Sequence, residues 1–181
     1  MIKFITYTTV ALLLFLLTSC NSEPSLQKYY VDNQEKPGFV ALDISPSILN
    51  LNKAKLSAEQ TKALSTFEKM NILAFKIDDK NKNQYAVEKN KVVEILKDTV
   101  TYKQLMKFGS GKQGASISYV GDENHINEFV LFGNQKETGF AVVRILGNGM
   151  KPEDAMTMLS VLQQSNIDMK QLEALKGLIQ K

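Results

Sequence analysis

The sequence has few of the side chains that most often hold transition metals or act as nucleophiles. Its 181 residues include one cysteine, Cys20, one histidine, His125, and no tryptophan. A single cysteine cannot form an intrachain disulfide, and it cannot supply the ligand set of a zinc site or an iron–sulfur cluster. The sequence therefore predicts a fold stabilised by packing, with no metal site and no cofactor.

An excess of charge of one sign is also missing. The 22 Lys and Arg residues nearly balance the 19 Asp and Glu residues, which leaves a net charge of +3, and both signs are mixed along the chain. A nucleic-acid site needs basic residues clustered on one face. We therefore expect no nucleic-acid partner.

The N-terminal segment has the three zones of a secretory signal peptide. Lys3 gives a basic start, residues 10–17 are an uninterrupted apolar run, and small polar residues precede Cys20. The apolar run is shorter than the roughly 20 residues that a membrane-spanning helix needs. Residues 1–19 are therefore expected to be a cleaved signal peptide.

Residues 17–20, Leu-Thr-Ser-Cys, resemble the lipobox of bacterial lipoproteins. The resemblance implies that Cys20 receives a diacylglyceryl group, becomes the first mature residue and gains a further acyl chain such as palmitate. Two or three chains anchor a protein far more firmly than one. We expect a lipid-anchored protein of the cell envelope. Asn21 stands where an Asp would signal inner-membrane retention in proteobacteria, which favours the outer membrane, on either its periplasmic or its surface face.

Beyond Cys20 the sequence predicts a tether and one domain. Residues 20–37 are polar, contain two prolines and show no periodic apolar face, so we expect a flexible tether. Residues 38–181 have an ordinary length for a single domain. Its predicted elements are, in chain order, a strand (39–44), a helix (57–70) opened by a capping box of Ser57 and Gln60, a strand (71–77), a helix (84–97), a short helix from Thr101, three strands (115–119, 126–132 and 140–146) and two helices, from Pro152 and Asp168.

The order β-α-β-α-α-β-β-β-α-α indicates an α+β fold, with a mixed sheet of about five strands and helices mainly on one face. The first two strands would form a right-handed crossover if they were parallel neighbours. The lipobox, the strand at 38–44, the β-α-β unit and the three late strands together resemble a family of small Bacteroidota lipoproteins, DUF4252-like, whose domain has no known function. The resemblance spans most of the mature chain, and it implies neither an activity nor catalytic residues.

Two short motifs suggest ligand sites but lack the required context. Residues 109–114 spell G-x-G-x-x-G, which binds pyrophosphate between a strand and a helix, whereas here a helix is predicted before the motif and a strand after it. Residues 79–83 start like an EF-hand loop, but Gln84 stands where glycine is needed and Asn90 where the bidentate glutamate is needed. We therefore expect residues 109–114 to be a flexible helix-to-strand connection and residues 79–83 to be a solvated loop.

Three polar residues are candidates for a cleft. Asp43 interrupts an apolar strand, Arg144 is the only arginine and also lies in a predicted strand, and His125 lies in a turn between strands. Asp43 and Arg144 either face a shared cleft or occupy the solvated face of the sheet. For His125 an exposed position is favoured, because no nucleophile-elbow serine accompanies it.

These observations favour a non-enzymatic, membrane-tethered binding or envelope-assembly module. Its expected partners are membrane lipid, through acylated Cys20, and another envelope protein. The alternative is a metal-independent hydrolase whose carboxylates come together only in the fold; no catalytic residue is assigned. A deep pocket gathering Asp43, Arg144 or His125 would favour the hydrolase, and an apolar groove or a bare sheet face would favour binding.

Overall fold

The computed structural model describes residues 23–46, 56–110 and 113–164. Within these ranges no helix is long and apolar enough to cross a membrane. The described elements are α1 (Leu26–Asn33), β1 (Phe39–Ile44), α2 (Ala58–Thr66), β2 (Phe67–Lys76), α3 (Lys82–Leu96), β3 (Lys103–Ser110), β4 (Gln113–Asp122), β5 (His125–Gln135), β6 (Gly139–Met150) and α4 (Pro152–Gln164).

The strands form one six-stranded sheet in the order β1-β2-β6-β5-β4-β3, and every neighbouring pair is antiparallel. The prediction of a mixed sheet of about five strands was therefore wrong, although the α+β class is confirmed. The additional strand is β3, where a short helix from Thr101 was expected. Its residues pair with β4, the next strand of the chain, with Lys103 opposite Tyr119 and Phe108 opposite Ala115, and this pairing overrides the local helix signal.

The boundary between α2 and β2 also differs from the prediction. Helix α2 begins at the expected capping box, in which the Ser57 hydroxyl accepts from the Gln60 N–H and the Gln60 side chain accepts from the Ser57 N–H. It ends at Thr66, and Phe67 already belongs to β2. Phe67 and Met70 have helical spacing with the apolar residues before them, but both pair with β6, Phe67 opposite Gly147 and Met70 opposite Ile145, and this pairing extends the strand back to Phe67.

Helices pack on both faces of the sheet, which corrects the prediction that they lie mainly on one. Along β2, Met70, Ile72 and Ala74 belong to the core shared with α2 and α4. Leu73 and Phe75 point the other way, into the core shared with α1 and α3. This alternation follows from the two-residue period of a strand, and it gives the described domain three layers.

Helix α1 lies within the segment that was predicted to be a flexible tether. The Ser25 hydroxyl caps it by accepting from the Lys28 N–H at 3.2 Å, and Leu26, Tyr29 and Tyr30 are buried against the sheet. These three residues have the i, i+3, i+4 spacing of an apolar helix face, so the signal was present in a polar stretch. The chain then turns into β1 through Gly38, whose φ of +84° favours glycine.

The other predicted elements agree with the structure. Helix α3 lies where a helix was predicted and buries Tyr85, Val92 and Ile95. Strands β4, β5 and β6 follow one another as antiparallel neighbours, and α4 begins at Pro152. The signal peptide, Cys20 and the helix predicted from Asp168 lie outside the described residues.

Candidate functional site

A row of polar residues crosses three strands under α1. Asp43 on β1 lies opposite Asn71 on β2, and Asn71 lies opposite Arg144 on β6. The row is on the sheet face that packs against α1 and α3, because neighbouring residues of the same face belong to that core. The fold thus brings two of the three sequence candidates, Asp43 and Arg144, into one row, with Asn71 between them.

Arg144 is held by a buried ion pair. Its Nε and Nη2 atoms donate to the two carboxylate oxygens of Glu128 at 2.7 and 2.9 Å, and Nη1 donates to the Gln27 side chain of α1. Arg144 is 6% exposed. Burial alone would lower the pKa of Arg144, but the hydrogen bonds and charge of Glu128 outweigh it, so the pKa lies above its ordinary value. The guanidinium therefore stays charged, and each of its three nitrogens donates one hydrogen bond within the protein.

Asp43 closes the other end of the row. One of its carboxylate oxygens accepts from the Tyr30 hydroxyl at 2.9 Å and also from the Asn71 amide. Burial, and then the hydrogen bond to Asp43, raise the pKa of Tyr30, so its hydroxyl remains a donor. Asp43 itself is exposed, because β1 is an edge strand.

The contacts of the row fasten α1 to the sheet. Gln27 binds Arg144, Tyr30 binds Asp43, and the Leu26 N–H donates to the Tyr102 hydroxyl at 3.1 Å. Among the described residues, no buried side-chain nitrogen or oxygen lacks a hydrogen-bond partner. The row is therefore a satisfied polar network that positions a helix.

His125 lies apart from this row. It is exposed at the start of β5, where it pairs with Asp122 across the β4–β5 hairpin. Its imidazole is close to Gly149, since a Cβ atom built there would lie 3.6 Å from the ring. The fold thus does not bring His125 to Asp43 or Arg144. In the part of the chain that the structure describes, no group of three His, Cys, Asp or Glu residues could hold a metal ion.

The surroundings of both short motifs differ from those of a ligand site. In the loop that begins like an EF-hand, Asp79 binds Lys82 at 2.6 Å, and Asp78 accepts from the Lys80 and Asn81 backbone N–H groups. The glycine motif begins with Gly109 at the end of β3, and Gly114 follows in β4 opposite it. A strand therefore stands on each side, and the helix that pyrophosphate binding requires is absent at this described position.

The interhelical groove, which we define as the hollow between α1 and α3, was missed by sequence reasoning because α1 was taken for a tether. Its volume is about 720 Å³. The residues that line it are Glu23, Pro24, Ser25, Lys28, Tyr29, Asp32, Val87, Asn90, Lys91, Glu94, Ile95 and Asp98. The Tyr29 hydroxyl donates to the Glu88 carboxylate at 3.0 Å and so links the two helices at the base of the groove.

A second hollow lies at one end of the sheet and has a volume of about 790 Å³. Ala115, Gly133 and Ala141 lie opposite one another on β4, β5 and β6 along its floor. A Cβ atom built on Gly133 would meet nothing within 4 Å. This part of the sheet face is therefore open within the described residues. Both hollows are features that the sequence analysis associated with binding.

The comparison with known families identifies the chain. The family model described as "Domain of unknown function (DUF4252)" matches residues 29–158, which is more than half of the chain. The protein therefore belongs to this family, and the resemblance noted in the sequence is confirmed. The matched range contains all six strands and the whole polar row. Neither a curated protein nor a solved structure matches the chain.

Proposed function

We propose that this member of the DUF4252 family is a lipid-anchored envelope protein that binds a protein partner at the membrane surface and does not catalyse a reaction. The observation that carries the proposal is the interhelical groove, whose wall includes Glu23, only three residues after Cys20.

The distance between the groove and the proposed anchor is short. An extended chain spans at most about 3.6 Å per residue, so Glu23 lies within about 11 Å of Cys20 and the α1 cap at Ser25 within about 18 Å. If all of residues 20–37 were a flexible tether, the domain could lie much farther from Cys20. Because α1 is docked on the sheet, acylation of Cys20 would hold the groove close to the bilayer.

The composition of the groove suits a protein segment. Tyr29, Val87 and Ile95 supply the apolar part of its lining, and charged residues of both signs supply most of the rest. Apolar centres with polar rims are typical of protein–protein interfaces. On the rim, Lys28 and Asp32 form an ion pair at 3.4 Å. Four acidic residues line the groove against two lysines, so negative charge is in excess. This supports a partner with an apolar anchor residue and basic residues beside it.

The polar row supports binding in preference to hydrolysis. Both oxygens of the Glu128 carboxylate accept from Arg144, and one oxygen of the Asp43 carboxylate accepts from Tyr30 and Asn71. A general acid or base needs a proton acceptor or donor that can reach substrate. Here the groups bind each other and hold α1, which forms one wall of the groove.

The lipid anchor is tested by metabolic labelling with a fatty-acid analogue. The chain should incorporate the label, and Cys20→Ser should not, because Cys20 is the only thiol in the sequence. Label retained on Cys20→Ser would contradict the anchor.

Partner binding is tested by photo-crosslinking in intact envelopes. A photoreactive residue at Val87, which is 56% exposed in the groove, is compared with one at Met156, which is 53% exposed on α4 at the opposite sheet face. We expect a discrete protein adduct from position 87 and none of that size from position 156. Equal adducts from both positions, or none from position 87, would contradict a binding role for the groove.

A further inference from the structure

A small hollow lies on the other side of α3 from the interhelical groove, between that helix and the strands near β3. Its volume is about 350 Å³, within the range of small-molecule sites. We call it the lysine pocket. The residues of interest in its lining are Lys89 and Val93 of α3, Lys107 of β3, Ser116 of β4, and Phe132 and Asn134 of β5.

The pocket carries positive charge that no carboxylate neutralises. No Asp or Glu lines it, and no ion pair within the described residues includes Lys89 or Lys107. Two other lysines of α3, and Lys97 at its C-cap, each bind a carboxylate three residues earlier in the chain. These pairs are Lys82 with Asp79, Lys91 with Glu88, and Lys97 with Glu94.

Lys89 lacks such a partner for a reason visible in the sequence. The residues three and four positions away are Tyr85, Ala86, Val92 and Val93, and side chains at these spacings are its neighbours on a helix. Its ammonium lies 5.7 Å from the centre of the Tyr85 ring, a contact that leaves the full positive charge in place. Lys107 reaches the pocket from the opposite wall.

The remaining lining adds an apolar surface and neutral polar groups. Phe132 is 8% exposed and forms part of the apolar lining together with Val93. The Ser116 hydroxyl is a hydrogen-bond donor, whereas the Asn134 amide donates to the Tyr85 hydroxyl at 3.4 Å. A lining that combines two lysines with an apolar surface matches a ligand with an anionic group and an apolar body.

We propose that the lysine pocket binds an amphipathic anion, a molecule with one carboxylate, sulfonate or phosphate group attached to an apolar body. The inference does not depend on the partner of the interhelical groove, because the two hollows lie on different sides of α3 and share one lining residue, Asn90.

The direct test compares two fluorescent probes on the chain of residues 20–181 carrying Cys20→Ser, which removes lipid background. Anilinonaphthalene sulfonate carries the anion, and phenylnaphthylamine has the same ring body without it. We expect the sulfonate probe to bind at least about fivefold more tightly, and its Kd to rise severalfold when ionic strength is raised, because salt screens exposed charges. Equal affinity for the two probes would overturn the proposal.

Variants locate the site. Lys89→Gln and Lys107→Gln should each raise the Kd of the sulfonate probe by about threefold to fivefold, consistent with an exposed charge pair, and Lys89→Arg and Lys107→Arg should preserve affinity. Lys97→Gln is the matched control, since Lys97 is the C-cap of the same helix and lies outside the pocket. An unchanged Kd in the double Gln variant, with a native melting curve, would overturn the proposal.

Two further experiments test the shape of the pocket and the chemical class of its ligand. Ser116→Phe should fill the pocket and weaken binding of the sulfonate probe, although neither lysine is changed. Dodecanoate and dodecyl phosphate should displace the probe, whereas dodecanol and inorganic phosphate at the same concentration should not. Displacement by inorganic phosphate alone would show that the apolar body is unnecessary, and displacement by dodecanol would show that the anion is unnecessary; either result would contradict the proposal.

Discussion

The buried ion pair between Arg144 and Glu128 allows the sharpest stability prediction. Arg144→Met keeps most of the apolar volume but leaves the Glu128 carboxylate buried without its cation. The two side chains are 8% and 12% exposed, so water screens the pair little. Removing one partner of a buried pair typically costs about 3–5 kcal/mol. We expect a loss of that size in the free energy of unfolding, which is a large part of the stability of an ordinary domain.

A double variant separates this reasoning from a simple loss of packing. In Arg144→Met with Glu128→Leu no charge is left unpaired, and apolar replacement of a buried pair is often close to neutral. We therefore expect the double variant to recover most of the loss. Lys97→Met breaks the exposed pair with Glu94 and should change stability by less than about 0.5 kcal/mol.

The assay is urea unfolding followed by far-ultraviolet circular dichroism, with the four proteins compared at equal ionic strength. The reasoning would be refuted if Arg144→Met lost less than about 1 kcal/mol, or if the double variant were less stable than the single one.

The remaining predictions concern α1, His125 and metal ions. Ser25→Ala should lower the free energy of unfolding by about 1 kcal/mol by removing the N-cap of α1, with Ser25→Asp as the conservative control; equal urea midpoints would show that the cap is unimportant. Deleting residues 20–37 should lower the melting temperature by several degrees or abolish cooperative melting, because it removes the buried face of α1. An unchanged melting curve would show that this segment is a tether. His125→Ala should change stability by less than about 0.5 kcal/mol, and a larger loss in urea unfolding would reveal contacts beyond those described. Chelation should leave the melting temperature unchanged, and a drop of several degrees would indicate a metal site outside the described residues.

The parts of the fold that the sequence predicted are those with strong local signals. The Ser57 and Gln60 capping box, helix α3 and the three late strands depend on neighbours in the chain. Strand β3 depends on pairing with β4, while Thr101 and Gln104 imitate a capping box locally. Helix α1 has only three buried apolar positions among polar residues, and its stability comes from contacts to the sheet that a local pattern does not contain.

In the candidate site, too, some residues could be predicted from local sequence and others could not. Asp43 and Arg144 could be selected from the sequence because polar residues are unusual in apolar strands. Their partners Asn71 and Glu128 could not, because they are chosen by strand order and register. The interhelical groove and the lysine pocket depend on where the helices lie against the sheet. Predicting those positions would have required the order of all six strands. His125 was expected to be exposed in a turn; the structure shows it exposed, but as the first residue of β5, directly after the turn at residues 123–124.

The measurement that tests the central claim most directly is crosslinking from position 87 in two forms of the protein in the same envelopes. One form is the lipid-anchored chain, and the other is a secreted chain of residues 21–181, which cannot be acylated at Cys20. If the anchor holds the interhelical groove beside its partner, the adduct from position 87 should fall at least about tenfold in the secreted form, as expected when a high effective concentration is lost. An adduct of equal yield from both forms would contradict the claim that the groove works at the membrane surface.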